Sequence, residues 1–224
     1  IVVRTADLGA DKGIDYLNIP DEINPAMGMR GIRICLINND FFKIQLRALY
    51  RASAYGKLAI LLPMVDSVEE IEYVQRTIEE VKAELKAKGQ PFDPNVELGV
   101  IIETPASAII SDDICKIVDF ISIGTNDLTQ YTLAIDRSNQ KLEYFYRPYH
   151  RSILKLMKFV AENAHKNGIP VSICGELASD ITMTKTFLAM GIDELSMVPS
   201  KILRVKAVVR ESDTTDRLDI LSKI

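Results

Sequence analysis

The sequence has few of the residues that build disulfide scaffolds, zinc sites or histidine-based active sites. Its 224 residues include three cysteines, two histidines and no tryptophan. The cysteines, Cys35, Cys115 and Cys174, are odd in number and widely spaced, and no Cys-x-x-Cys pair occurs. Neither a disulfide framework nor a zinc ribbon is therefore predicted, and a reducing, cytoplasmic compartment fits best.

Long apolar runs are also missing. The longest uninterrupted apolar stretches are under about ten residues, whereas about 20 are needed to cross a bilayer. The first residues, Ile1-Val2-Val3-Arg4, show none of the features of a signal peptide. With a net charge of −4 and no concentrated basic face, we expect neither membrane insertion nor a nucleic-acid partner. Small acidic ligands are still compatible, because a local cluster of arginines outweighs a weak global charge.

Short β-branched runs alternate with longer helical patterns along the whole chain. Most of these runs are apolar on both faces, which is typical of buried parallel strands. Six strands are predicted, at Ile1–Thr5, Leu58–Leu62, Leu98–Ile102, Val118–Ile123, Pro170–Cys174 and Glu194–Met197.

The helices between these strands have recognisable ends. Asp40 is predicted to cap a helix with Phe41, Ile44, Ala48 and Ala52 on its apolar face. Ser67 and Glu70 have the spacing of a capping box, and Pro105 suits the first turn of a further helix. Three more helices are predicted at about 153–166, 182–190 and 201–210, followed by a polar tail.

Alternating strands and helices predict an α/β fold with a parallel sheet. An open doubly wound sheet would normally carry a glycine-rich phosphate loop after its first strand, and residues 8–13, LGADKG, do not match that pattern. Polar residues follow several strands, as at the carboxyl-terminal face of a (β/α)8 TIM-type barrel. We therefore predict a single barrel domain over 1–224, with about six of eight βα units present.

Two carboxylates follow neighbouring predicted strands and could share a hard cation. Glu103 comes after one apolar run, and Asp127 follows the next by way of Asn126. Mg²⁺ is typically held by one or two carboxylates together with waters and a substrate phosphate. The structural alternative is that each carboxylate merely caps the helix after it.

Other side chains at strand ends also suggest chemistry. Arg4 ends an apolar strand, which is awkward for an arginine unless it faces a polar site; Arg30 and Arg137 are further candidates for anion recognition. Cys174 is either a small core residue or a proton donor at the barrel mouth. Neither His150 nor His165 ends a strand, so no nucleophilic histidine is predicted.

The string GTNDLTQYTLAIDR at residues 124–137 is long and specific. It resembles the signature of Enzyme I, the phosphoenolpyruvate-protein phosphotransferase family of the bacterial sugar phosphotransferase system. The resemblance runs from residue 1 to about residue 210. Further segments agree in order, namely Arg4–Lys12, Asn24–Arg33, Arg51–Gly56, Glu103–Pro105 and Cys174–Ala178.

The resemblance implies a role for each matching residue. Glu103 and Asp127 would hold Mg²⁺. The phosphate and carboxylate of phosphoenolpyruvate would be bound by Arg4, Arg30 and Arg137, with Asn126 as a further ligand contact. Cys174 would protonate C3 of the departing enolpyruvate. A homodimer and an HPr-type phosphocarrier protein, reached through a separate phosphohistidine domain, are the implied partners.

The same resemblance places the chain's first strand third in the family's barrel. We therefore expect the first two strands and the phosphohistidine domain to be absent from it, with no complete turnover and a tendency to self-associate. The family's serine-rich stretch after the last strand is replaced by Met197-Val198-Pro199-Ser200-Lys201. Two alternatives stay open: the barrel of a pyruvate phosphate dikinase or phosphoenolpyruvate synthase, and a dimerisation or ligand-sensing fragment without activity.

Overall fold

A computed structural model describes residues 1–9, 22–213, 215, 217–222 and 224. Contacts within the chain divide it into two compact units, Ile1–Ile101 and Ile102–Ile224. Only part of the Arg4–Lys12 motif is described, because its residues after Gly9 lie outside these ranges.

The first unit is built on parallel strands joined by helical connections. Strand β1 (Val2–Arg4) pairs with β2 (Ala59–Leu62), and β2 pairs with β3 (Glu97–Ile102), whose last residue belongs to the second unit. A short 3-10 helix at Pro25–Met27, then α1 (Ile32–Ile37) and α2 (Asn39–Ser53), connect β1 to β2. Helix α3 (Val68–Ala87) connects β2 to β3 and packs against α2.

The second unit repeats the pattern with β4 (Phe120–Gly124), β5 (Val171–Cys174) and β6 (Glu194–Leu195), in parallel and in chain order. Its helices are α4 (Pro105–Ile109), α5 (Ser111–Ile114), α6 (Thr125–Leu133), α7 (Arg151–Lys166), α8 (Thr184–Met190), α9 (Pro199–Glu211) and α10 (Arg217–Ser222). Two 3-10 helices, Gln140–Phe145 and Glu176–Ser179, lie after α6 and β5.

All six predicted strands are present, although β6 is two residues shorter than predicted. Central positions of β2, β3 and β4 are buried on both faces, which explains their unbroken apolar sequence. The prediction of an α/β fold with parallel strands is confirmed at this level.

The helix ends follow the local sequence rules in most places. Ser67 accepts from the Glu70 N–H at 3.3 Å, and the Glu70 side chain accepts from the Ser67 N–H, so the predicted capping box of α3 is present. Pro105 occupies the first turn of α4 as predicted. The predicted polar tail includes one further helix, α10, which packs against α8.

The prediction for α2 is wrong in both its cap and its buried face. Asn38 caps this helix by accepting from the Phe41 N–H, and Asp40 lies in the first turn. The buried residues are Phe42, Leu46, Tyr50 and Ser53, whereas Ile44 is 61% exposed. Two apolar stripes compete on this helix, and the one with the larger side chains removes more apolar area from water.

None of the helices described is both long and apolar enough to cross a membrane.

A matched pair of truncations tests which stripe of α2 is buried. Leu46→Ala should lower the free energy of unfolding by about 2–5 kcal/mol, because it opens a cavity at a fully buried position. Ile44→Ala should change it by less than about 0.5 kcal/mol, because that side chain is exposed. Urea denaturation followed by circular dichroism measures both, and equal losses would contradict the orientation described.

Candidate functional site

Arg4 and Arg30 share the carboxylate of Asp7 in the first unit. An Arg4 Nη atom lies 3.1 Å from Asp7 Oδ2, and an Arg30 Nη atom lies 3.2 and 3.1 Å from the two oxygens of the same carboxylate. Arg4 is the last residue of β1, and Arg30 precedes α1. We call Arg4, Asp7 and Arg30 the arginine cluster.

Asp127 lies in the first turn of α6, which begins directly where β4 ends. The N-cap position of this helix is Gly124, and Asp127 is the third helical residue, where a negative charge is favoured by the helix dipole. Asp127 is 7% exposed. Asp127 therefore lies in the first turn of its helix and does not occupy the N-cap position.

Glu103 also fails to cap the helix after it. Thr104 occupies the N-cap position of α4 and accepts from the Ser107 N–H at 3.1 Å. Glu103 lies directly after β3 and is 4% exposed. Helix α4 packs against α6, so the elements that follow the two carboxylates are neighbours within the second unit.

Arg137 reaches back to Asp127 from the segment after α6. One of its Nη atoms lies 3.5 Å from Asp127 Oδ2, and its backbone N–H donates to Gln130 Oε1 at 3.0 Å. The left-handed residue Ala134 ends α6 and reverses the chain. The Arg137 side chain is 39% exposed, so it contacts a buried carboxylate while it stays partly accessible to solvent.

Cys174 ends β5 and is joined to the β4–α6 turn by hydrogen bonds. Its carbonyl accepts from Thr125 Oγ1 at 2.9 Å, and its Sγ lies 3.6 Å from the Ile123 carbonyl. The Asn126 side-chain oxygen accepts from the Glu176 N–H at 3.2 Å. Asn126, Asp127, Arg137 and Cys174 thus belong to one connected group, which we call the strand-end cluster.

Gly175 is required by this junction. Its φ is +99°, and a Cβ atom there would lie 2.6 Å from Thr125 Oγ1 and 3.1 Å from Asn126 Oδ1. Only glycine permits both the backbone conformation and the close approach. The Cys-Gly-Glu sequence is thereby explained as a turn packed onto the end of β4.

A cleft of about 260 Å³ lies beside the strand-end cluster and is lined by Asn126, Tyr146, Tyr149, Glu176 and Asp180, among others. Burial raises the pKa of Tyr146, and its phenol donates to the Asn126 carbonyl at 3.3 Å. Tyr149 donates to Asp180 across the cleft wall. The loop after α6 is therefore attached both to the β4–α6 turn and to the loop after β5.

The other two cysteines have no part in these clusters. Cys35 and Cys115 are buried, as predicted from their apolar surroundings. Burial raises the pKa of each thiol to about 12, with Asp7 adding to the shift at Cys35 and Asp112 adding to it at Cys115. Cys174 is the partly exposed cysteine of the three.

Several charged residues have structural partners instead. Arg47 lies 2.8 Å from Glu84, which ties α2 to α3, and Arg33 lies 2.7 Å from Asp66. His165, in the last turn of α7, lies 3.3 Å from Asp193. His150 accepts from the Ser152 N–H at the start of the same helix. Neither histidine follows a strand, as the sequence predicted.

Asp7 and Tyr146 were not predicted from the sequence as residues of these clusters. Asp7 has a local signal, because Arg4 and Asp7 are three residues apart directly after a strand. Its second partner, Arg30, is 23 residues away, and Tyr146 contacts Asn126 from 20 residues away. Contacts of that kind depend on tertiary structure.

Within the ranges that the structure describes, no group of three or more His, Cys, Asp or Glu side chains is arranged to hold a metal ion. Two buried carboxylates are nevertheless a donor set of the kind Mg²⁺ takes, because this ion keeps several waters and binds substrate phosphates. Glu103 and Asp127 are 4% and 7% exposed. They fit Mg²⁺ in oxygen chemistry and in carboxylate number.

The chain matches the model of a protein family over residues 1–214, described as the PEP-binding domain of PEP-utilising enzymes. It is also similar to curated proteins named phosphoenolpyruvate-protein phosphotransferase. Identity is 45% over 220 residues for the protein of Listeria monocytogenes, 47% over 215 for that of Haemophilus influenzae and 44% over 223 for that of Staphylococcus aureus. These alignments cover 96–100% of this chain but only 37–39% of the relatives.

Solved structures with a similar fold are more distant in sequence. A citrate lyase from Burkholderia xenovorans matches with a TM-score of 0.56 at 18% identity, covering 83% of this chain and 61% of that one. A pyruvate kinase from Cryptosporidium parvum matches with a TM-score of 0.55 at 16% identity, covering 76% and 34%. These similarities support the α/β fold with parallel strands.

Alkylation of the native chain tests the different environments of the three thiols. Cys174 should react with iodoacetamide at pH 8 well before Cys35 and Cys115. A thiol with a pKa of about 12 is only about one part in ten thousand thiolate at that pH, and burial further limits access. Peptide mass spectrometry measures the order, and the denatured chain, in which all three should react, is the control. Equal labelling of all three cysteines in the native chain would contradict the burial of Cys35 and Cys115.

Proposed function

The chain belongs to the PEP-utilising enzymes through their PEP-binding domain, and from this membership we propose that it binds phosphoenolpyruvate and supports transfer of its phosphoryl group. The acceptor is a histidine outside the chain, and the product is pyruvate. The chain spans about 38% of the length of the L. monocytogenes relative. The complete reaction is therefore proposed for the longer protein of that kind.

The strand-end cluster is the observation that carries this proposal. A buried carboxylate, a half-exposed guanidinium, an amide and a partly exposed thiol are joined at the ends of β4 and β5. Together they offer an acid, a cation and a metal ligand, the functions that release of phosphate from an enol requires. A role in packing alone would not require four polar side chains of different chemistry.

We propose that Glu103 and Asp127 hold Mg²⁺, which when bound neutralises charge on the phosphoryl oxygens. Burial of both carboxylates supports this role, because it fixes the side chains and excludes competing solvent. Arg137, next to Asp127, is placed to bind a phosphate or carboxylate oxygen while it remains partly exposed.

Arg4 and Arg30 are proposed to bind the anionic groups of the same ligand class. A planar guanidinium matches phosphate and carboxylate oxygens through paired hydrogen bonds. Arg4 is the more accessible of the two, with a side chain 47% exposed against 11% for Arg30. Asn126 supplies a further polar contact from the β4–α6 turn.

Cys174 is proposed as the proton donor. When the enol C–O–P linkage is cleaved at the P–O bond, phosphorus forms a bond to the acceptor nitrogen and the enolate remains. The thiol of Cys174 gives its proton to C3 of that enolate, so that pyruvate forms and the thiolate recovers a proton from solvent. Partial exposure of the thiol is consistent with this cycle.

The wider role is proposed on the same basis. The longer protein would pass the phosphoryl group to an HPr-type carrier in sugar uptake, act in the cytoplasm as a homodimer, and close a (β/α)8 barrel of which this chain supplies about six units. The names of the L. monocytogenes, H. influenzae and S. aureus relatives favour this reaction over that of a dikinase or a synthase.

Calorimetric titration of phosphoenolpyruvate into the chain tests the metal assignment. We expect binding with Mg²⁺ that is lost in EDTA, and Glu103→Gln should weaken the Mg²⁺-dependent affinity by roughly 10- to 100-fold, because one charged ligand is removed. Glu97→Gln is the matched control, since Glu97 is a half-exposed glutamate at the opposite end of β3. Its affinity should equal that of the unaltered chain.

Absence of binding by a chain whose circular dichroism spectrum is native would reject phosphoenolpyruvate as a ligand of these six strands. Equal binding in Mg²⁺ and EDTA would reject the metal assignment alone.

Exchange of the pyruvate methyl protons in D₂O tests the role of Cys174. With Mg²⁺ present, the chain should accelerate exchange, and Cys174→Ala should reduce the acceleration by about 100-fold or more, because the proton carrier is removed. Phosphoenolpyruvate affinity should stay within about twofold, because the thiol acts on the leaving enolate. NMR measures exchange, and Cys115→Ala is the control for loss of a thiol elsewhere. Unchanged exchange in Cys174→Ala would assign the proton to another group.

A further inference from the structure

Asp7 is the buried centre of the arginine cluster, and the proposed function gives it no role of its own. Its side chain is 4% exposed. Both of its oxygens lie within 3.2 Å of Arg30, and Oδ2 also lies 3.1 Å from Arg4. One carboxylate thus orients two guanidinium groups that come from different parts of the sequence.

The local backbone is built to hold this arrangement. Gly31 has a φ of +55°, and a Cβ atom there would lie 2.8 Å from Met64 Cβ and 3.3 Å from Asp7 Oδ1. The Gly31 N–H donates to the Leu8 carbonyl at 3.1 Å. Glycine at this position lets the chain that carries Arg30 approach the Asp7 turn closely.

The two arginines differ in exposure, which suggests a division of roles between them. Arg30 is nearly buried, and a buried guanidinium requires an ionic partner such as Asp7. Arg4 contacts the same carboxylate and leaves about half of its side chain in solvent. Both guanidinium groups therefore contact one carboxylate, and Arg4 stays partly accessible to a further anion.

We propose that Asp7 is a positioning residue that fixes Arg4 and Arg30 in the geometry in which they bind an anionic ligand. This inference rests on the proposed function, in which these arginines bind the phosphate or carboxylate of the substrate. Asp7 acts through the arginines and makes no contact with the ligand. It lowers the cost of binding, because the arginine side chains are already ordered before the ligand arrives.

The test compares three single variants with the unaltered chain by calorimetric titration of phosphoenolpyruvate in Mg²⁺. Asp7→Asn keeps the shape and removes the charge, and we expect it to weaken affinity by about tenfold, because the two arginines lose the carboxylate that orients them before the ligand binds. Asp66→Asn is the matched control, because it breaks another Arg–Asp pair of the same unit, with Arg33, outside the cluster. Its affinity should be unchanged.

NMR of the arginine side chains separates positioning from a purely structural role. In the unaltered chain, the Nε–H signals of Arg4 and Arg30 should be sharp and should shift on addition of ligand. In Asp7→Asn they should broaden although the melting temperature stays close to that of Asp66→Asn. If Asp7→Asn does not fold, Asp7→Glu decides the question, because it keeps the charge and displaces the carboxylate by one methylene; weaker binding is expected from it.

The outcomes distinguish this inference from the proposed function. If folded Asp7→Asn binds with native affinity, the positioning role is overturned and the proposed function still stands. The same conclusion follows if Asp7→Asn does not fold and Asp7→Glu binds with native affinity. If phosphoenolpyruvate does not bind but inorganic phosphate binds and depends on Asp7, the positioning role holds and the proposed substrate is wrong. If neither anion binds the unaltered chain, both are overturned.

Discussion

Within the central strands of this fold, charged side chains are confined to the strand ends. The central strands β2, β3 and β4 are buried on both faces, and an unpaired charge within them would be costly to desolvate. Arg4 at the end of β1, Glu103 after β3, Asp127 after β4 and Cys174 at the end of β5 all obey this constraint. The chemistry proposed here is thus concentrated at strand ends because the rest of each strand excludes it.

The strands and the capping box of α3 were predictable because their signals are local, whereas the cap of α2 was predicted wrongly. The capping box of Ser67 and Glu70 needs only four consecutive residues, and an unbroken apolar run identifies a strand buried on both faces. The buried face of α2 was predicted wrongly because adjacent phenylalanines, Phe41 and Phe42, begin two apolar stripes about one residue out of phase. Periodicity alone does not choose between such stripes; packing against α3 does.

The residues of the strand-end cluster were named from the sequence, but the contacts that join them were not. Every residue named from the sequence for β4 and β5 belongs to the strand-end cluster, because the end of a strand identifies it. Asp7 and Tyr146 were not predicted, because their positions in the structure depend on contacts with residues far away in the sequence. Polar residues at strand ends are therefore easier to find from sequence than the residues that contact them from distant parts of the chain.

The net charge of −4 does not conflict with an anionic ligand, because charge acts locally in a structure of this kind. Asp7 pairs with both arginines of its cluster, and the carboxylate of Asp127 pairs with Arg137. Each cluster keeps its ions ordered through an opposite charge that is itself buried. Charges ordered in this way before a ligand binds need little rearrangement when it does, which is the condition under which electrostatic stabilisation of phosphoryl transfer is most effective.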